Sequence, residues 1–153
     1  MMINAELTQL EFFQGLTASD IDQISEIIQA QTFNEDDIIV QEGDEVNKDL
    51  YIITKGSVVA KIETNNEDNA NINVMTRGQI FGELSLISDI KRSATIEATS
   101  ETELLCIPKT QFLDLISKNN HLGMIIYRNI ANVLSDRIRK TNKLLKHTIT
   151  WGW

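Results

Sequence analysis

One cysteine, one proline and two histidines in 153 residues exclude several kinds of protein at the outset. Cys106 closes no disulfide within the chain and holds neither an iron–sulfur cluster nor a cysteine-rich zinc site. It sits in the apolar run Leu104-Leu105-Cys106-Ile107, where a small buried hydrophobe is expected. His121 and His147 both fall late in the chain, and no Gly-x-Ser-x-Gly, His-x-x-x-His or Gly-x-x-x-x-Gly-Lys pattern occurs. No catalysis, no metal and no cofactor, haem included, is expected. Apolar runs such as Met124 to Tyr127 are far shorter than the about 20 residues of a membrane-spanning helix. The amino-terminal stretch has no basic region leading into a long apolar core, as a secretory signal would. With the unpaired cysteine, this points to the cytoplasm and to no membrane partner. Cations are scarce too: 14 Lys and Arg against 22 Asp and Glu give a formal charge of -8 at pH 7. Direct DNA binding is therefore not expected, because phosphate contacts need a basic face. One small anionic ligand needs only a local positive site.

What is present divides into three stretches, read as a single domain spanning 1–153. From Leu7 to about Gln31, apolar residues recur at helical spacing, with a break at Gly15-Leu16-Thr17. Thr17 or Ser19 is placed to cap the second helix, with Asp20 and Asp22 in its first turn. From about 33 to 107, short β-branched runs alternate with turn residues: Ile38 to Val40, Tyr51 to Ile53, Ser57 to Ile62, Ile72 to Met75, Ala94 to Ala98 and Glu103 to Ile107. Glu42-Gly43-Asp44, Thr54-Lys55-Gly56 and Thr76-Arg77-Gly78 read as turns, and the polar run Thr64 to Asn71 as a loose hairpin tip. Many short strands with close turns indicate a mainly β barrel or sandwich with flanking helices. Pro108-Lys109-Thr110 then opens a short helix, and a longer one is expected over about 120–146. Its stripe of Leu122, Ile126, Ile130, Leu134, Ile138, Thr141 and Leu145 is longer than one barrel needs, which predicts a homodimer through this helix.

The chemistry concentrates in Phe81-Gly82-Glu83-Leu84-Ser85-Leu86-Ile87-Ser88-Asp89-Ile90-Lys91-Arg92-Ser93-Ala94-Thr95. Gly82 permits a close backbone approach. A helical turn beginning at Glu83 presents unpaired N–H groups to an anion. Arg92 supplies a guanidinium clamp and Ser93 a hydroxyl. Glu83 makes sense beside an anion only if the ligand also carries hydroxyls, as a sugar phosphate does. On spacing alone, a plain Glu83–Arg92 salt bridge is the better reading.

This segment resembles the phosphate-binding cassette of the cyclic nucleotide-binding domain family, which includes regulatory subunits of the cyclic-AMP-dependent kinase, gated channels and the catabolite-activator transcription factors. Glu83 and Arg92 stand nine apart, as in the kinase type. Phe12-Phe13-Gln14-Gly15-Leu16, Ile39 to Asp44 and Leu50 to Val58 resemble the family's other motifs, in the same order. The resemblance implies a jelly-roll β-barrel (a double-stranded β-helix) with N-terminal helices and a long C-terminal helix. It implies a cyclic nucleotide as ligand, with Arg92, Ser93 and the backbone at Leu84 and Ser85 on its phosphate. Glu83 would take the ribose hydroxyl, with Gly82 giving the ribose room.

Two departures accompany the resemblance. Lys91 stands where the family often has proline. The Thr-Ser pair that meets adenine in the transcription factors falls, by a gapless count from Arg92, on Arg137 and Ile138. Arg137 is then the expected contact to the base, while Ser93 favours cAMP over cGMP by analogy. The chain stops about six residues past the long helix, so no helix-turn-helix module is expected. A signal would pass through the long helix to an effector the sequence does not reveal. Trp151 and Trp153 are read either as caps on the base or as terminal contacts.

Overall fold

The computed structural model describes residues 2–65 and 69–151. Within these residues the chain opens with α1 (Met2–Gln9), a 3-10 turn (Glu11–Phe13) and α2 (Ala18–Ser25). Eight strands follow: β1 (Gln29–Phe33), β2 (Ile38–Val40), β3 (Leu50–Lys55), β4 (Ser57–Glu63), β5 (Asn69–Thr76), β6 (Ile80–Phe81), β7 (Thr95–Ala98) and β8 (Thr102–Ile107). A short α3 (Glu83–Ile87) interrupts them, and α4 (Lys109–Lys118) and α5 (Asn120–Trp151) close the chain. The strands form two four-stranded antiparallel sheets, ordered β1-β8-β3-β6 and β2-β7-β4-β5. This is the expected jelly roll with flanking helices. Part of the expected hairpin tip, residues 66–68, lies outside the described residues, as does Trp153 together with the side chain of Trp151.

Alternation along β3 and β8 explains how a small chain builds two cores. Leu50 and Ile52, with Leu105 and Ile107, face the helices; there they join Leu7, Phe12, Phe13, Ile24, Phe112, Leu122, Ile126 and Ile130. Tyr51 and Ile53, with Leu104 and Cys106, face the barrel interior beside Val40, Val58, Phe81 and Ile96. Both strands are thus buried on both faces, which is why they read as continuous apolar runs. Cys106 is buried as expected. Burial, with the nearby Asp49 carboxylate, pushes its thiol up to about 12.

Three sequence readings change. The helical pattern expected to about Gln31 stops at Ser25, and Gln29–Phe33 is a strand pairing with β8 along its length. Backbone pairing to a buried strand outweighs the weak local preference of Gln-Ala-Gln-Thr-Phe. The two-residue β6 is too short to show a period. The stripe on α5 is also divided: Leu122, Ile126 and Ile130 are covered by the chain's own core. From Ile138 to Ile149 every residue is exposed. Thr17, not Ser19, caps α2, in a reciprocal box with Asp20.

Candidate functional site

The segment between β6 and β7 is shaped by Gly82. Its φ of +86° is left-handed, and a Cβ there would lie 2.5 Å from the Asp49 carbonyl oxygen and 2.7 Å from Arg92 Nη1. Only glycine fits both the conformation and the space. The turn at Gly82 launches α3, whose Glu83, Ser85 and Leu86 point inward while Leu84 and Ile87 stay largely exposed. Two lysines pin the loop that returns to Arg92. Lys109 donates to the Ser85 carbonyl at 2.8 Å and Lys48 to the Ile90 carbonyl at 2.5 Å.

Arg92 is 3% exposed. Its guanidinium donates to the Gly82 carbonyl at 3.2 Å, the Asp49 carbonyl at 2.7 Å and Asn47 Oδ1 at 3.0 Å. Its Nε is buried without a partner among the described residues. Among the described residues it makes no ion pair, so the Glu83–Arg92 salt bridge that spacing alone favours does not form. Burial lowers the guanidinium's affinity for its proton, and the nearby Tyr51 and Asp49 act the other way; the group nevertheless stays charged at neutral pH. Glu83, also buried, pairs instead with Arg137 of α5, whose second amino group donates to the Ile80 carbonyl. That ion pair ties the long helix to the cassette.

Arg92 and Glu83 stand on the wall of one cavity of about 590 Å³ between the second sheet and α5. All seven residues singled out from the sequence, Gly82, Glu83, Leu84, Ser85, Arg92, Ser93 and Arg137, line it. The remainder of the wall is largely apolar: Val40, Ala60, Met75, Phe81, Ile96 and Leu134 among others. A concave apolar chamber with a few convergent polar groups is the usual form of a small-ligand site. Among the described residues, Glu83 is the only carboxylate on its wall. No cluster of three or more His, Cys, Asp or Glu is placed to hold a metal among the described residues. No helix among them is long and apolar enough to cross a membrane.

The profile of the cyclic nucleotide-binding domain matches residues 30–119, more than half of the chain. The chain belongs to this family. A cyclic nucleotide-binding domain from Methylobacillus flagellatus has the same fold, with a TM-score of 0.83 at 22% identity over 95% of this chain and 82% of that one. The catabolite activator protein of Thermus thermophilus matches with a TM-score of 0.74 at 26% identity, covering 88% of this chain and 61% of the activator. In sequence, the chain is 33% identical over 124 residues to a cGMP-dependent protein kinase of Eimeria tenella, covering 81% of this chain. It spans 12% of that kinase's length.

For a cyclic nucleotide-binding domain, the gapless count along the long helix misses two residues. It lands on Arg137 and Ile138, but the structure also sets Thr141 and Asn142, a turn further on, against the cavity. Asn73 of β5 joins them on its wall. A helical period of 3.6 applied from Arg137 would have found Thr141, which a count along the chain from Arg92 does not single out. Asn47 was missed entirely. It lies outside the cassette, and a single asparagine in a polar loop carries no signal.

Proposed function

We propose that this domain is a non-catalytic sensor that binds a cyclic nucleotide in the cavity beside Arg92, with cAMP favoured over cGMP. The observation that carries the reading is the buried guanidinium on the cavity wall, with no carboxylate partner and with Nε unsatisfied among the described residues. A buried charge in that state is costly until an anion meets it. Arg92 would take the cyclic phosphate, helped by the Ser93 hydroxyl and the N–H groups of Leu84 and Ser85. Glu83 would accept from the ribose hydroxyl that Gly82 leaves room for. The base would then lie toward α5, between Arg137 and the Thr141–Asn142 turn. A carboxamide supplies the donor and acceptor that adenine's edge requires. A guanine edge, with two adjacent N–H donors, would favour a carboxylate there, and Glu83 is already engaged by Arg137.

The exposed end of α5 supports the second part of the reading, a homodimer that passes the signal on. Ile138, Leu144, Leu145 and Ile149 are each more than half exposed, and pairing with a second copy would bury them. Calorimetry on ligand-stripped protein, titrated with cAMP and with cGMP, tests the first part. Heat is expected for both, with the smaller dissociation constant for cAMP. No heat and no thermal shift with either at millimolar concentration would leave a ligand-free interaction module in its place.

A further inference from the structure

Two polar clamps hold α5 against its neighbours. The buried Asn129 carboxamide donates to the Phe12 and Gln14 carbonyls at 2.7 and 3.0 Å. Further along, Arg137 donates to the Ile80 carbonyl. At about 1.5 Å per residue, the two clamps stand about 12 Å apart on the helix. Between α5, the 3-10 turn and the turn before β6 lies a second cavity of about 250 Å³, with both clamping residues on its wall. It has less than half the volume of the cavity beside Arg92. At about 30 Å³ per water it equals roughly eight waters, room for a molecule of about that many non-hydrogen atoms and too little for a nucleotide.

The charges on this wall leave one of each sign over. Arg137 is neutralised by Glu83, and Asp136 by Arg139. Lys140 and Glu11 also border the cavity, and among the described residues neither forms an ion pair, with the other or with any third group. An anion alone would meet Lys140 but be repelled by Glu11, and a cation alone would meet the reverse. A ligand carrying both charges satisfies both. Carboxamides supply the remaining chemistry. Gln79 uses only its oxygen, on the Thr76 N–H at 2.9 Å. The side chains of Gln14 and Asn132 have no partner among the described residues. Each offers a donor and an acceptor to a polar group.

We propose that this second cavity binds a free amino acid with a polar side chain. Lys140 takes its carboxylate, Glu11 its ammonium group, and the carboxamides its side chain. Arg137 borders both cavities, so an occupant of the second bears on the partner of Glu83 and hence on the first. The domain then reads two ligands, each changing the affinity of the other. That coupling rests on the nucleotide reading given above; the site itself does not.

The experiment records melting temperatures of the full chain, stripped of ligand, with each proteinogenic amino acid at millimolar concentration. Sodium acetate and methylammonium chloride, the two halves of a zwitterion, are added separately at matched ionic strength. At least one polar amino acid is expected to raise the melting temperature in step with its concentration, and neither half-ligand is. Glu11→Gln and Lys140→Met, both at exposed positions, are expected to melt like wild type without ligand. Each should weaken the amino acid by a few-fold in calorimetry, the range for an exposed ion pair. The proposal is overturned if no amino acid shifts the melting temperature, if acetate or methylammonium shifts it as much, or if both variants bind the amino acid like wild type. For the coupling, cAMP is titrated with and without the amino acid, and the two ligands should change one another's affinity by the same factor. Unchanged cAMP affinity overturns the coupling. If cAMP does not bind at all, the nucleotide reading and the coupling fail together, and the melting series still decides on the site.

Discussion

At the scale of single residues, the site is a matter of where two buried charges find their partners. Glu83 has one within the protein, at Arg137, and Arg92 has none among the described residues. The two should therefore differ in how much binding depends on them. Arg92→Ala is expected to weaken cyclic nucleotide binding by about 2–5 kcal/mol, the range for one member of a desolvated charge pair. Glu83→Ala is expected to cost less, about 1.5–3 kcal/mol, since it loses a hydrogen bond to a neutral hydroxyl. Calorimetry on both variants gives the comparison, and equal affinities across wild type and both mutants would make the cassette a purely structural segment. Arg92, Gly82 and Ser93 were legible in the sequence because glycine, arginine and a small hydroxyl fall together in one ordered motif. The Glu83–Arg137 pair was not, because its members are 54 residues apart and nothing local requires them to meet.

At the scale of elements, strands with their own β-branched runs were readable, and strands defined by a neighbour were not. Ser57–Glu63 and Thr102–Ile107 carry their pattern within themselves. Gln29–Phe33 becomes a strand only because β8 offers it a ladder. The junction of α2 with α4 and α5 shows the same dependence in its polar contacts. Asp20 caps α2 by accepting the Thr17 N–H at 3.0 Å, and it also accepts the Asn119 side-chain amide at 2.9 Å. Burial by itself would raise its carboxyl, but these bonds and the nearby His121 outweigh burial and hold it below 3.8. A carboxyl lowered in the native state binds fewer protons there than in the unfolded chain. Its contribution is complete above the unfolded value and disappears as pH falls through the lower native one. Asp20→Ala is expected to destabilise the fold by about 1–3 kcal/mol at neutral pH, leaving two donors unpaired. The loss should shrink as urea denaturation is repeated toward about pH 3. A pH-independent difference between mutant and wild type would show that the charge on Asp20 contributes nothing.

At the scale of the whole molecule, charge and apolar surface are segregated along the chain. Residues 120–153 carry Arg128, Arg137, Arg139, Lys140, Lys143 and Lys146 against the single carboxylate Asp136, while every other acidic residue precedes them. The first half of α5 is bound into the helical core. The second half is a basic helix with its own apolar face, which fits pairing with a second copy better than packing on its own barrel. Leu145→Glu is expected to convert a dimer to a monomer, read by light scattering, and to leave nucleotide affinity within a few-fold, since Leu145 does not line the cavity. A wild-type monomer with and without nucleotide would end the dimer reading, and a dimer that survives Leu145→Glu would place the interface elsewhere.

The position of Arg137 along α5 gives the helix the mechanics of a lever. Toward the amino end the arm is clamped, with Leu122, Ile126 and Ile130 set in the core. At Arg137 it is pinned to the cassette through Glu83 and the Ile80 carbonyl. Beyond the pin, Thr141 and Asn142 still border the cavity, and the helix continues to Trp151. At a rise of about 1.5 Å per residue the arm beyond the pin is about 21 Å long, so a tilt on the order of 10° at the pin would carry its tip about 4 Å. A displacement at the pocket too small to disturb the barrel thus becomes, at the tip, a step comparable to the spacing between neighbouring side chains. Lengthening or shortening the arm would change the stroke without altering the pin.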